Sequence, residues 1–146
     1  MTTPMSRDEL LDRVRNAHAP DRELDAAIAL ACGAVVEPAE RDSFGAVRVP
    51  AWWTMPNASR EEWPHRTTPW PLTASIDAAV GLFNRFHGAD GWELELGVEN
   101  GVGCARVIDI IGETCCTDAF VHKEPACAVI AALLSSLLAQ EAHADE

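Results

Sequence analysis

Carboxylates are the first residues whose type and spacing suggest chemistry. Asp21 and Asp25 stand one helical turn apart, and Asp77 lies at the start of a later helical pattern. Paired carboxylates can bind a divalent cation or exchange protons with a substrate. Aspartate also caps helices, holds loops and favours the positive end of a helix dipole. We expect these structural roles, with a divalent-metal-dependent enzyme that uses Asp21, Asp25 and Asp77 as the alternative.

A tryptophan-rich segment is the second candidate. Residues 48–70 hold four of the five tryptophans, three arginines and a histidine, but only two acidic residues. Indoles stack on flat rings, and arginine can bind phosphate through two hydrogen bonds. Indoles also pack loops onto a domain and anchor interfaces, so all three uses stay open. The residues predicted to bind a ligand are Arg48, Trp52, Arg60, Trp63, His65, Arg66 and Trp70.

Cysteine spacing and nucleophile motifs give no support for catalysis. The chain has five cysteines, an odd number, and no C-x-x-C pair of the kind used by structural zinc sites. A zinc site made from Cys115, Cys116, His122 and Cys127 is therefore not expected. Neither a G-x-S-x-G elbow nor a G-K-[ST] phosphate loop occurs. The sequence predicts free thiols, no catalytic residue, no metal and no cofactor.

Net charge and length limit the function classes. The formal charge of −12 repels nucleic-acid backbones and anionic membranes. A chain of 146 residues can bury a core of its own as one domain. The sequence shows no signal-peptide pattern and no apolar run of about 18 residues. We expect a single domain over residues 1–146 in the cytoplasm, with no membrane and no nucleic-acid polymer as partner.

Capping signals predict the first elements that must position these residues. Ser6 begins a capping box for one helix, Asp21 can cap a second, and Gly33 is a natural helix stop. A strand follows at residues 46–53. Pro50 cannot donate to a sheet ladder, so we place this strand at an edge.

The second half of the chain carries the clearest pattern. A Trp/Pro-rich loop over about residues 54–72 precedes a third helix. Apolar and polar residues then alternate from Trp92 to Val98, and Asn100-Gly101 is a strong hairpin signal. A two-residue turn there sets a register in which Glu95 faces Arg106.

The final helix completes the fold prediction. It begins at Pro125 and presents a broad apolar face, while residues 142–146 are expected to fray. The element order is α-α-β-α-β-β-α. Because a small antiparallel sheet must cover its apolar face with helices, we predict an α/β fold, an α/β/α sandwich with a small antiparallel sheet.

Three segments carry a family resemblance. Residues 20–30 (PDRELDAAIAL) and 72–80 (LTASIDAAV) resemble two signatures of small phage proteins that contain a phage ABA-sandwich domain. Residues 124–134 (EPACAVIAALL) are similar to a third, alanine-rich signature. The chain departs from the family pattern at Leu72, where an aromatic residue is common, and at Glu124, where threonine is common. Neither change alters the expected fold.

The resemblance implies an α/β/α sandwich of phage or prophage origin. Small phage domains of this size can sequester nucleotide signals of host immunity, and this analogy gives the sharpest functional expectation. We expect a non-catalytic, homo-oligomeric binding module, an anti-defence protein whose partner is a small anionic nucleotide. The alternatives are the metal-dependent enzyme above and an acidic protein that blocks a host factor.

Overall fold

A computed structural model describes residues 5–54, 71–87, 92–109, 114–115, 117 and 119–144 of the chain. The helices are α1 (Arg7–Arg15), α2 (Arg22–Ala31), α3 (Ile76–His87) and α4 (Pro125–Ala144). The strands are β1 (Val35–Glu37), β2 (Glu40–Arg41), β3 (Val47–Val49), β4 (Trp52–Thr54), β5 (Trp92–Glu99), β6 (Val102–Asp109), β7 (Thr114–Cys115) and β8 (Phe120–His122).

The predicted α/β class and element order are confirmed. The structure also contains short strands that the sequence did not predict. The single strand expected at residues 46–53 is two strands, β3 and β4, separated at Pro50 and Ala51. Their partners, β1 and β2, have only three and two residues, too few for an alternation to reveal them. β7 and β8 lie in a stretch that the sequence left irregular. α4 continues to Ala144, into the segment expected to fray.

The first two helices begin and end where their capping residues predict. Ser6 Oγ accepts a hydrogen bond from the Glu9 amide at 3.2 Å and so caps α1. α2 ends at Ala31, and Gly33 follows two residues later with a φ of +98°, which suits glycine. The Ala34 amide donates to the Ala29 carbonyl at 2.9 Å, which closes the helix in a Schellman motif.

β5 and β6 form the predicted hairpin in the predicted register. Asn100 and Gly101 both have positive φ, at 54° and 78°, as a tight two-residue turn requires. Glu95 lies opposite Arg106, and their side chains form an ion pair at 2.9 Å. β7 and β8 both pair antiparallel with β6, which completes a four-stranded sheet.

α4 is the centre of the hydrophobic core. It contacts β5, β6 and β8 of the sheet and packs against α1 and α3. Every residue from 126 to 134 is buried, so the helix is enclosed on all sides. A helix that is apolar around its whole circumference is suited to such a position.

Strands β1 to β4 form a separate two-stranded ribbon, called here the arm (residues 35–54). β1 pairs with β4 and β2 with β3, both antiparallel. Trp53 at its base packs against the core, whereas Phe44, Val47 and Val49 towards its tip are exposed. Within the described residues, no helix is long and apolar enough to span a membrane.

Candidate functional site

Asp21 and Asp25 have the structural roles that the sequence predicts. Asp21 caps α2, where its Oδ1 accepts hydrogen bonds from the amides of Glu23 and Leu24 at 2.9 and 3.2 Å. Asp25 is fully buried and holds the loop before α3. Its Oδ1 accepts from both the amide and the hydroxyl of Thr73, each at 2.7 Å.

The oxygens of Asp25 are therefore occupied by the protein itself. Its second oxygen, Oδ2, accepts from Arg22 Nη1 at 2.8 Å. Asp77 is exposed in the first turn of α3, as expected from the helix dipole. Within the described parts of the chain, no three His, Cys, Asp or Glu side chains cluster as metal ligands would. The metal-dependent alternative gains no geometric support.

The predicted ligand-binding segment is described only at its beginning. Arg48 on β3 and Trp52 on β4 are both exposed residues of the arm. The structure places two carboxylates beside them that the segment itself does not contain: Glu37 pairs with Trp52, and Glu40 pairs with Val49. Arg60, Trp63, His65, Arg66 and Trp70 lie outside the described residues, and their role stays a prediction.

A serine–histidine pair occurs in the core, but its geometry is structural. His87 Nε2 lies 2.9 Å from Ser136 Oγ, and both side chains are buried. The Ser136 hydroxyl donates to the Leu133 carbonyl at 2.7 Å, so its proton points away from the imidazole. A general base must take the proton of its nucleophile, and this pair is not arranged for that. His87 instead stacks between Phe83 and Trp92.

An open cleft lies where the end of α1 meets β8 and the middle of α4, and we call it the α1–β8 cleft. Its volume is about 830 Å³. Ala128, Ala131 and Ser135 recur at helical spacing and form one wall from α4, where their small side chains leave room. A second depression of about 360 Å³ adjoins it and shares Arg15 and His122.

Basic side chains gather around this cleft and its adjoining depression, although the chain as a whole is strongly acidic. Arg15, His18 and Lys123, the sole lysine of the sequence, line it or its adjoining depression, and Asp12 is the carboxylate facing them. Arg15 Cζ lies 5.8 Å from the centroid of the Phe120 ring, within reach of a cation–π contact. Arg15 and Lys123 outnumber Asp12 when the cleft and the adjoining depression are taken together, and the two form a local positive region on a negative chain.

His122 adds a hydrogen-bond donor at the border of the two depressions. Its Nδ1 accepts from the Glu124 amide at 2.8 Å, and this bond requires the Nδ1 lone pair. In the neutral ring the proton is therefore on Nε2, which leaves an N–H donor for another group. Guanidinium, ammonium and imidazole N–H groups together are suited to a phosphate or carboxylate.

Sequence reasoning did not find this cleft. Its basic residues come from α1, from the loop after α1, and from β8 and the turn that follows β8. The first and last of these segments are more than a hundred residues apart in the chain. The sequence held one signal for it: two basic residues, His122 and Lys123, lie next to each other shortly before the core helix in a strongly acidic chain. Without the pairing of β8 with β6, nothing brings Lys123 to α1.

No family model, no curated protein and no solved structure matches the chain.

Proposed function

We propose that this protein is a non-catalytic binding module that takes a small anionic ligand into the α1–β8 cleft. One observation carries the proposal: Arg15 lines the cleft, and Lys123 and His18 line the depression that adjoins it, in a chain of net charge −12. A cleft of this volume is in the range typical of small-molecule sites. The local positive region would attract an anion that the remaining surface repels.

The sharper form of the proposal is a nucleotide signal as the ligand. Phosphate would contact Arg15 and Lys123, while the Phe120 ring, the half-buried aromatic side chain of the cleft, offers a flat apolar surface near them. The anti-defence role in a phage or prophage protein is an analogy with small phage domains of similar size, since the resemblance to phage ABA-sandwich proteins implies little about activity. Sequestration needs no catalytic residue.

Calorimetry tests the proposal with named probes: inorganic phosphate, cyclic mono- and dinucleotides, and ADP-ribose. We expect at least one nucleotide to bind, with an affinity that falls as salt is added because the contact is ionic. Lys123→Gln and Arg15→Gln should each weaken binding about tenfold, the effect of losing one charge-assisted hydrogen bond. Arg13→Gln is the matched control, since Arg13 is an exposed arginine of α1 that lines neither depression.

Each outcome decides between named possibilities. No binding by the wild type to any probe contradicts the anionic-ligand proposal. Binding that survives both Lys123→Gln and Arg15→Gln shows that the cleft is not the site. Loss of binding in Arg66→Ala or Trp63→Ala, with the cleft variants unaffected, would place the site in the tryptophan-rich segment instead.

A further inference from the structure

The α1–β8 cleft and its adjoining depression differ in the charges that line them. Among the described residues, Arg15 and Lys123 line the depression, and no carboxylate does. The larger cleft is lined by both Arg15 and Asp12, so its opposite charges balance. The smaller space, of about 360 Å³, is therefore the positive end of the site, and the larger space, of about 830 Å³, is close to neutral.

The two spaces are continuous through side chains that they share. Arg15, Asn16, Val121 and His122 line both of them. Arg15 Cζ lies 5.8 Å from the centroid of the Phe120 ring, which lines the larger cleft. A ligand that occupies both spaces would therefore pass a guanidinium and an imidazole where it crosses from one to the other.

The larger cleft offers hydrogen-bond acceptors from α1. Asn16 Nδ2 donates to the Asp12 carbonyl at 2.8 Å. Because a backbone carbonyl can only accept, the amide nitrogen is the atom that faces it, and Asn16 Oδ1 keeps its capacity to accept. Asp12 is exposed, and its carboxylate is an acceptor as well. These groups suit the hydroxyl and amino groups of a ligand, and they disfavour a second phosphate.

The other walls of the larger cleft suit an uncharged, flat group. Ala128 and Ala131 of α4 have small side chains, and Ser135 adds a hydroxyl on the same helix face. The half-buried Phe120 ring supplies an aromatic surface on which a base can stack. The larger space thus has the features of a nucleoside site, and the depression has those of a phosphate site.

We propose that the ligand carries its negative charge at one end only. Its phosphate lies in the depression with Arg15 and Lys123, and its uncharged part, a nucleoside or a group of similar chemistry, lies in the larger cleft. In this arrangement, which rests on the anionic-ligand function proposed above, Asp12 determines specificity. Its carboxylate repels any ligand that brings a second phosphate to the neutral end.

The class of ligand is thereby narrowed from nucleotides in general to nucleoside monophosphates. A cyclic dinucleotide has two phosphates on opposite sides of one ring. With one phosphate in the depression, the other would enter the larger cleft beside Asp12. A nucleoside monophosphate instead presents its ribose hydroxyls and its base to the acceptors there.

Calorimetry with matched pairs of nucleotides tests this arrangement. The 5′-monophosphates of adenosine and guanosine are compared with the corresponding 3′,5′-bisphosphates, which differ only by a second phosphate on the ribose. We expect at least one monophosphate to bind, about tenfold more tightly than its bisphosphate. The unphosphorylated nucleoside should bind at least tenfold more weakly than the monophosphate, because it brings no anion to the depression.

Asp12→Asn removes the negative charge and keeps an acceptor at the same position. We expect it to reduce the preference for the monophosphate to about twofold or less, mainly by tightening the bisphosphate. Asp8→Asn is the matched control, the same change one turn earlier on α1 at an exposed residue that lines neither space. Lys123→Gln should weaken both nucleotides by a similar factor. Circular dichroism confirms that each variant is folded.

The outcomes separate this arrangement from the proposed function. If a cyclic dinucleotide binds and neither monophosphate does, the single-anion arrangement is wrong and the binding function stands. A bisphosphate that binds as tightly as its monophosphate overturns the arrangement in the same way. So does a preference for the monophosphate that Asp12→Asn leaves unchanged. If no nucleotide binds at all, the proposed function fails and this arrangement fails with it.

Discussion

Gly103 of β6 and Pro125 of α4 approach so closely that a side chain at position 103 has no space. A Cβ on Gly103 would lie 2.5 Å from Pro125 Cα and 2.8 Å from Pro125 Cβ. Backbone atoms of a proline at the start of a core helix cannot move aside without moving the helix. This contact fixes the distance between β6 of the sheet and the first residue of α4.

Gly103→Ala should therefore destabilise the protein. We expect the free energy of unfolding to fall by about 1–3 kcal/mol, the usual cost of overpacking a core. Gly97→Ala is the control, because a Cβ there meets nothing within 4 Å on the neighbouring strand. Urea denaturation measures both variants. Equal stability of the two variants would contradict the close approach of β6 and α4.

Removal of the Asp25 carboxylate should break the link between α2 and the loop before α3. Asp25→Ala leaves the buried Thr73 amide without its acceptor and the Thr73 hydroxyl with only the longer contact to the Asp21 carbonyl at 3.3 Å, so we expect a loss of about 2–4 kcal/mol. Asp77→Ala, at an exposed first-turn aspartate, should cost less than about 1 kcal/mol. Thermal unfolding of the two variants compares them. Similar losses would mean that the Asp25 bonds contribute little.

Leu133 tests the position of α4 at the centre of the core. The residue is fully buried, and Leu133→Ala should cost about 2–5 kcal/mol through lost burial and a cavity. Leu30→Ala, on the exposed side of α2, should cost about 1 kcal/mol or less. Denaturant midpoints give the difference. A cost for Leu133→Ala below about 1 kcal/mol would mean that α4 is loosely packed.

Two buried thiols should make the protein sensitive to alkali. Burial raises the pKa of Cys32 and that of Cys127 from the ordinary 9.0 to about 11. Their contribution to stability is fully present below pH 9, where both states keep the protons. Between pH 9 and 11 the unfolded chain alone releases them, so the free energy of unfolding should fall, by roughly 1–3 kcal/mol per thiol.

The composition makes that alkaline range easy to interpret. The chain has no tyrosine and a single lysine, so the other side chains that titrate there are mainly the remaining three cysteines. Urea midpoints at pH 8 and pH 10.5 measure the effect. Cys32→Ala with Cys127→Ala should remove most of the pH dependence, whereas Cys104→Ala, at an exposed position, should leave it. An unchanged slope in the double variant would refute the assignment to these thiols.

Local signals were sufficient to predict much of the fold. The Asp21 cap, the Gly33 stop and the Asn100-Gly101 turn each depend on a few adjacent residues, and all three are confirmed. The Glu95–Arg106 pair followed from turn length alone. For the thiols, Cys32, Cys104 and Cys127 are free as predicted, while Cys115 and Cys116 lie outside the described side chains.

The sequence could not predict contacts between segments that lie far apart in the chain. Glu40 is 9 residues from Val49 in the chain, and nothing in its neighbourhood marks it as a strand residue. The α1–β8 cleft needs Arg15 and Lys123 side by side, which follows from the packing of α4 and not from any local pattern. Periodicity reveals which face of an element is buried, but not which other element covers it.

The enclosed position of α4 has a consequence for how the chain folds. α1 cannot bury Leu10 and Val14 until a helix more than a hundred residues further along the chain is present to receive them. Closing so long a loop has a large entropic cost before any contact compensates it. Early helix formation in α1 and α2 should therefore be transient, and folding should be slow for a chain of this size. In the meantime the apolar segment of residues 126–134 is exposed, and it is where aggregation would start.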